Sequence, residues 1–346
     1  MADRGAARPT SGSVTVIVTV LKDPRVARTI ESLLGQTRKP EEILVDDGGG
    51  TDEVERITQG VSARDPSVIH VAAPGNIAES RNVALSRAHG EFIAFLDADE
   101  VAPPGWLAAL LTPFDDPKVG FVGGPTPALP GTATSIGARY YDGYLRRFYD
   151  RVARVNPHAL PMGNSAWRAE LFRRVGLLDT SLAGRIGNED HEIAVRAMRG
   201  GFEGRYVPEA SVDHDFSDIT TWQLLRKQRR YAEGGYILWR REGSTYEATA
   251  GRVAPYVLIP LVAVAGAILT VPPFTRFAGE LLLAAAGSGL ALLALALTAL
   301  GFREDPQYPG LRFQALEILR RWATLYGALR GLLRFGWKGP AAAPPP

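Results

Sequence analysis

The stretch Phe92-Ile93-Ala94-Phe95-Leu96-Asp97-Ala98-Asp99 decides the fold. A short apolar run with bulky side chains on both strand faces leads into two carboxylates one residue apart. Such a run suits a strand buried on both sides of an α/β sheet, because a half-exposed strand would alternate apolar with polar. Side chains at i and i+2 point the same way, so Asp97 and Asp99 are expected to converge where the strand runs out. The outer strand ends are where open α/β sheets bind ligands. Two oxygen ligands on one side suit a hard divalent cation, Mg2+ or Mn2+, that also holds phosphate.

The flanking chain alternates in the same manner. Val14–Val18 reads as the first strand and 24–34 as a helix with Val26, Ile30, Leu33 and Leu34 as its buried stripe. Ile43-Leu44-Val45 is a second strand ending on Asp46-Asp47, and Gly48-Gly49-Gly50 lets the backbone pass close to a ligand. A helix from Glu53, a strand over 68–71 and a helix over 79–88 complete a βαβα order, which predicts a mostly parallel sheet with helices on both faces. Residues 101–187 are irregular and rich in Gly and Pro, with helices expected over 166–175 and 188–199. Glu189-Asp190 opens the latter behind Asn188, a good N-cap, and acids in a first turn favour the helix dipole.

The chain has 346 residues, net charge +2 and no cysteine, which removes disulfides and Cys-ligated zinc. Residues 1–12 are small and polar and read as a disordered N-terminus without a secretory signal. A mean hydropathy of −0.04 conceals a polar chain to about residue 250 and an apolar one afterwards. Residues 253–271 and 281–300 carry no charge, and each is near the ~20 residues that cross a bilayer, so they are expected to form a transmembrane hairpin. Over 311–337, Ala315, Ile318, Leu319, Trp322, Leu325, Tyr326, Leu329 and Leu333 share a helical face, with Arg312, Arg320, Arg330 and Arg334 on the other. That pattern predicts an interfacial helix on anionic membrane lipid. Basic flanks, Arg240, Arg241 and Arg252 before the hairpin and Arg303 after it, put the first domain in the cytoplasm, at the inner membrane. The basic aromatic segment lies beside the apolar runs rather than on a face of its own, which argues against a nucleic acid partner.

Several stretches together resemble the family 2 glycosyltransferases of GT-A fold: ILVDDGGGTDE after the second strand, NIAESRNVALSRAHGEFIAFLDADE, GNSAWRAELFRRVGLLD, and GNEDHEIAVRAMRGGFEGRYVPEASVDH. The resemblance covers residues 14–235 and implies a Rossmann-like catalytic domain over 13–235. A juxtamembrane linker over 236–252, the hairpin over 253–301 and the interfacial helix and tail over 302–346 would follow. It further implies a nucleotide-diphosphate sugar donor with Mg2+ or Mn2+ on its diphosphate. Asp47 would hold base or ribose, Arg81 the diphosphate, and Asp97 the sugar or ribose. Asp99 would ligate the metal, with Asp97 beside it and His214 as a further ligand. Gly163 and Asn164 would line the sugar pocket, with Trp167 open to stacking on a sugar. Glu189 would lie at the donor, and Asp190 would be the general base of an inverting transfer.

Lys227-Gln228-Arg229-Arg230-Tyr231 resembles the Gln-x-x-Arg-Trp element of membrane-embedded relatives, which sits beside the donor diphosphate. Only Arg230 carries over, which argues against processive polymerisation. The usual Pro-Thr-Tyr-Asn after the first strand is Thr19-Val20-Leu21-Lys22, and the second acid of the nucleotide turn is Gly48, so base choice is not legible. The expected activity is addition of one sugar to a lipid-linked saccharide, similar to the succinoglycan-type enzymes. Charging of a polyprenyl phosphate, as by dolichyl-phosphate mannosyltransferases, is the rival enzyme, and a degenerate membrane scaffold is the non-enzymatic alternative.

Overall fold

The computed structural model describes residues 12–154, 156–182, 188–242, 250–272, 275–304 and 311–336. The chain divides into two compact units. The first extends to Thr134 and resumes over Tyr144–Asp218; the second takes Ser135–Gly143 and Ile219–Ala342.

Its elements in order are β1 (Val14–Val20), α1 (Val26–Leu34), β2 (Glu42–Asp47), α2 (Asp52–Ser62), β3 (Val68–Ala72), α3 (Ile77–Arg87), β4 (Phe92–Asp97), β5 (Glu100–Val101), α4 (Trp106–Leu111), β6 (Val119–Gly123), α5 (Ile136–Phe148), β7 (Asn164–Arg168), α6 (Ala169–Val175), α7 (Glu189–Arg199), β8 (Glu203–Tyr206), β9 (Asp213–His214), α8 (Thr221–Glu242), α9 (Ala250–Leu269), α10 (Arg276–Glu304) and α11 (Leu311–Phe335).

The first unit is built on a seven-stranded sheet ordered β3-β2-β1-β4-β7-β6-β8, in which β7 alone runs antiparallel to its neighbours. Alternating side chains feed two cores. Val14, Val16 and Val18 pack with Val26 and Ile30 of α1 on one face, while Ile17, Leu44 and Phe95 pack with Ala78, Phe172 and Ile193 on the other. This accounts for the unbroken apolar runs of the central strands, since neither face meets water. The helix expected from residue 166 begins instead at Ala169, because Ala166 and Trp167 pair with both β4 and β6 in the middle of the sheet. Trp167 is therefore core: it stacks on Phe121 at 4.7 Å and donates Nε1–H to Ser165 Oγ at 2.7 Å, and sugar stacking is not its role.

In the second unit α8 is continuous to Glu242, so the expected boundary at 235 falls inside a helix. The helix α11 packs along α8 through Gly327 and Gly331, where an added Cβ would meet the Arg229 carbonyl and the Tyr236 ring. The expected apolar face of α11 does point outward at Leu319, Trp322, Tyr326, Leu329 and Leu333. Its arginines do not all oppose that face. Arg320 is buried, bonding Tyr140 Oη at 2.9 Å and Glu317 at 2.7 Å, and Arg330 and Arg334 reach the buried Glu233. Burial pushes the Glu317 carboxyl up, but Arg320 beside it prevails and holds it at about 2.

Residues 253–269 of the first run lie in α9 and the run 281–300 lies in α10, with Leu258, Leu261, Val264, Ile268, Phe277, Leu281 and Leu292 exposed. Among the described residues no helix is long and apolar enough to cross a membrane. The side chains of 253–257, 260 and 293–300, on which the expected hairpin also depends, lie outside those described, as do residues 1–11 of the expected disordered segment.

Candidate active site

Arg81 is the side chain on which the strand ends meet. A capping box starts α3: Asn76 Oδ1 accepts from the Ala78 and Glu79 N–H groups, and Glu79 returns a carboxylate to the Asn76 N–H. The helix so started carries Arg81, buried, across the ends of β1 and β4. Its Nε–H donates to Thr19 Oγ1 at 3.0 Å and its Nη2 to Asp97 Oδ1 at 2.9 Å, while Nη1 lies 3.9 Å from Glu189 Oε1. The other side of Asp97 rests against Gly163, where any Cβ would collide with the carboxylate. Gly163 thus serves by being small.

Asp97 and Asp99 take different partners, because the chain turns directly after β4 and the two-residue alternation ends there. Asp97, expected beside the metal, is given to Arg81. Asp99 Oδ2 lies 3.1 Å from His214 Nε2 and 3.7 Å from Arg25 Nη2. The short antiparallel pair β5/β9 brings His214 there, helped by the Asp215 N–H donating to the Asp99 carbonyl at 2.9 Å. Among the described residues no group of three or more histidine and acidic side chains is arranged to hold a metal ion. The pair that does meet has suitable chemistry and spacing. Two adjacent ligands at ~2.1 Å from an octahedral cation stand about 3 Å apart, and such cations commonly take their other ligands from substrate phosphate and water. Asp99 and His214 fit a divalent cation shared with a diphosphate.

Asn188 takes a left-handed φ of 75°, which asparagine tolerates, and its side chain does not cap α7. Glu189 turns inward and is buried. Burial first, then the charge of Asp190, push its carboxyl up to about 7 against the opposing pull of Arg81. Its Oε2 is buried without a hydrogen-bond partner among the described residues. Asp190 is half-buried and accepts at Oδ1 from the His191 N–H at 2.9 Å.

Two expected contacts with donor take other work. Asp47 is fully buried. Its Oδ1 accepts from the Gly49 and Gly50 N–H groups at 3.0 and 2.8 Å, and its Oδ2 from Thr51 N–H at 3.3 Å, with His70 Nε2 also at 3.3 Å. These contacts shape the glycine turn. Asn164 is also fully buried, accepting from Trp106 Nε1–H at 2.8 Å and donating to the carbonyls of Pro125 and Ala210 at 3.0 and 2.8 Å. These bonds tie the end of β7 to α4 and to the chain at Pro125 and Ala210. Arg230 lies on α8 in the second unit.

Three side chains here escape a sequence reading: Arg25, Glu100 and His70. Arg25 sits at 3.6 and 3.4 Å from Asp215 and Asp218 besides its approach to Asp99. In sequence it stands at the head of the first expected helix, with no motif to mark it.

Residues 15–176 match the model of a family described as Glycosyl transferase family 2. A pre-mycofactocin glycosyltransferase of Mycobacterium tuberculosis is 31% identical over 232 residues, 64% of this chain and 47% of that protein. The chain thus spans about half the length of that relative. The succinoglycan biosynthesis protein ExoM of Rhizobium meliloti is 28% identical over 229 residues, 64% of this chain and 72% of that one. A glucosyl-dolichyl phosphate glucuronosyltransferase of Haloferax volcanii is 29% identical over 220 residues, 58% of this chain and 68% of its own length. Among solved structures, the mannosyltransferase PcManGT from Pyrobaculum calidifontis in complex with GDP-Man and Mn2+ superposes with a TM-score of 0.58 at 20% identity, over 95% of this chain and 90% of that one. At that identity the likeness shows the GT-A fold alone.

Proposed function

We propose, from the premise that residues 15–176 are a family 2 glycosyltransferase domain, that the chain transfers one sugar from a nucleotide diphosphate to a hydroxyl acceptor with inversion at the anomeric carbon. The observation that carries this is Arg81, held by Thr19 and Asp97 at the strand ends and facing Glu189, with Asp99 and His214 alongside. A guanidinium there can bind the oxygens of a diphosphate and stabilise its charge as it leaves. Asp99 and His214 would hold Mg2+ or Mn2+, which supplies further charge stabilisation to the departing diphosphate.

The acceptor oxygen attacks the anomeric carbon from the opposite face. The anomeric C–O bond breaks with its electron pair leaving on the diphosphate, and the acceptor's proton goes to Asp190. What supports Asp190 over Glu189 for that step is access: Asp190 is half-buried, whereas Glu189 is enclosed.

A lipid-linked saccharide is the acceptor class we favour, supported by the printed name of the Haloferax relative, a glucosyl-dolichyl phosphate glucuronosyltransferase. Attachment to the cytoplasmic face of the inner membrane, through 253–271 and 281–300 and by α11 against anionic lipid, belongs to the same proposal. Its support is two runs without charge and the outward apolar side chains of α9, α10 and α11. Recovery of the chain in the soluble fraction after carbonate treatment would remove the two spans.

Donor binding tests the enzymatic reading. Thermal shift of the purified chain with UDP-, GDP- and dTDP-sugars should show a shift with one nucleotide that needs Mn2+. No shift with any of them would leave a transferase fold without a working donor site, the scaffold alternative.

A further inference from the structure

We propose that Glu100 is a positioning residue for the cation site, orienting His214 and the Asp97–Asp99 turn with a single buried carboxylate. This rests on the reading that the site takes a divalent cation. Glu100 lies on β5 directly opposite His214 on β9 and is 2% exposed. Its Oε2 accepts from the Asp97 N–H at 3.1 Å, and its Oε1 lies 3.5 Å from His214 Nδ1. The backbone around it is fixed as well: the Thr29 hydroxyl lies 2.8 Å from the Ala98 carbonyl and 2.7 Å from that of Glu100.

The geometry has a chemical consequence. An imidazole can offer a metal only one nitrogen, and the hydrogen bond at the other nitrogen selects which. Where a cation takes the place of the hydrogen bond between Nε2 and Asp99 Oδ2, the carboxylate 3.5 Å from Nδ1 favours the proton on that nitrogen and leaves the Nε2 lone pair to the cation. Closing the turn after β4 needs only one acceptor for the Asp97 N–H, which a neutral side chain supplies without burying a charge. The second oxygen, aimed at the ring, is what a purely structural role leaves unexplained.

Mn2+ binding to the purified full-length chain, followed by the EPR signal of free Mn2+, separates the possibilities. Glu100→Gln should weaken Mn2+ about tenfold, the lower end for a residue behind a metal ligand. The same substitution made in a His214→Ala chain should change binding less than twofold, because the ring it orients is gone. Nitrogen-15 NMR of histidine-labelled protein with Mg2+ should read His214 as the Nδ1–H tautomer in the parent and as a mixture in Glu100→Gln, since an amide can face the ring with either end. Unchanged Mn2+ affinity, or an equal loss with and without His214, would overturn the proposal. Thermal melts check folding; if Glu100→Gln unfolds, Glu100→Asp, which withdraws the carboxylate by one methylene, is read the same way. Asp99→Ala separates the two levels: if it binds Mn2+ as the parent does, the cation site itself is refuted, whatever Glu100 does.

Discussion

Arg81 lies between two carboxylates, 2.9 Å from Asp97 Oδ1 at one terminal nitrogen and 3.9 Å from Glu189 Oε1 at the other. Its own side chain is nearly closed to solvent, so this charge is compensated by protein. Arg81→Leu removes the cation that faces the enclosed Glu189. Breaking a buried pair costs about 3 kcal/mol, and that loss should appear as a lower midpoint in urea at pH 8. Donor binding should fail in parallel, as a missing thermal shift with any nucleotide sugar. A variant that still binds donor would move the diphosphate away from Arg81.

Glu189 gives stability a pH dependence of known sign. Its carboxyl stands at about 7 in the folded chain, above its ordinary value of 4.5, so the folded state holds the proton more tightly than the unfolded state does. Stability from this group is complete below pH 4.5 and is lost as pH rises through 7. Glu189→Gln cannot ionise. It should match the parent near pH 4.5 and exceed it at pH 8 by about 3 kcal/mol. Urea denaturation at the two pH values reads the difference; a gap that does not change with pH would show that Glu189 ionises freely in the folded state.

How far the sequence could be read follows from what each residue answers to. The central strands β1, β2 and β4 were legible because burial on both faces leaves mainly apolar types, whereas α3, expected from residue 79, begins at Ile77 because Asn76 and Glu79 make a capping box. The strand β7 was not, because Ala166-Trp167-Arg168 carries no alternation that separates a central strand from a helix start; its partners, Phe92–Leu96 and Phe121–Gly123, decide it. The site shows the same division. Arg81 meets Asp97 and approaches Glu189, and Asp99 meets His214. Asp47 and Asn164 match those motifs equally well, yet their oxygens are consumed by nearby N–H groups, which depends on loop closure and not on residue type. Glu100 adjoins the motif, but its duty appears only once β9 sets His214 opposite it.

Gly163 tests how tightly Asp97 is placed. Gly163→Ala sets a methyl group where the Asp97 carboxylate lies, so the carboxylate must turn and its contact with Arg81 must lengthen. Overpacking of this kind costs roughly 1–3 kcal/mol. Transfer should fall by more than tenfold, about the effect of misplacing a group that aligns substrate. Both follow from one cause, so Gly163→Ala should cost clearly less stability when made in an Asp97→Ala chain than in the parent, while transfer stays low in both. An equal cost in the two chains would locate the strain elsewhere.

In the second unit the contact between α8 and α11 depends on Gly327. A Cβ there would overlap the Arg229 carbonyl and crowd Ala232, and backbone cannot yield as a flexible side chain would. Gly327→Ala should therefore push α11 from α8 at a cost of about 1–3 kcal/mol, set against the few tenths to 1 kcal/mol that alanine ordinarily gains over glycine inside a helix. A Cβ at Gly331 would come within 2.9–3.1 Å of the Cβ and ring of Tyr236, a milder overlap than with the Arg229 carbonyl, so Gly331→Ala should cost less. Limited trypsin digestion resolves the order, because Arg330 and Arg334 are bound to Glu233 in the packed pair and become cleavable when α11 lifts. Cleavage after these arginines should be fastest in Gly327→Ala and intermediate in Gly331→Ala. Equal rates in all three chains would mean that the two helices are held by contacts other than this glycine face.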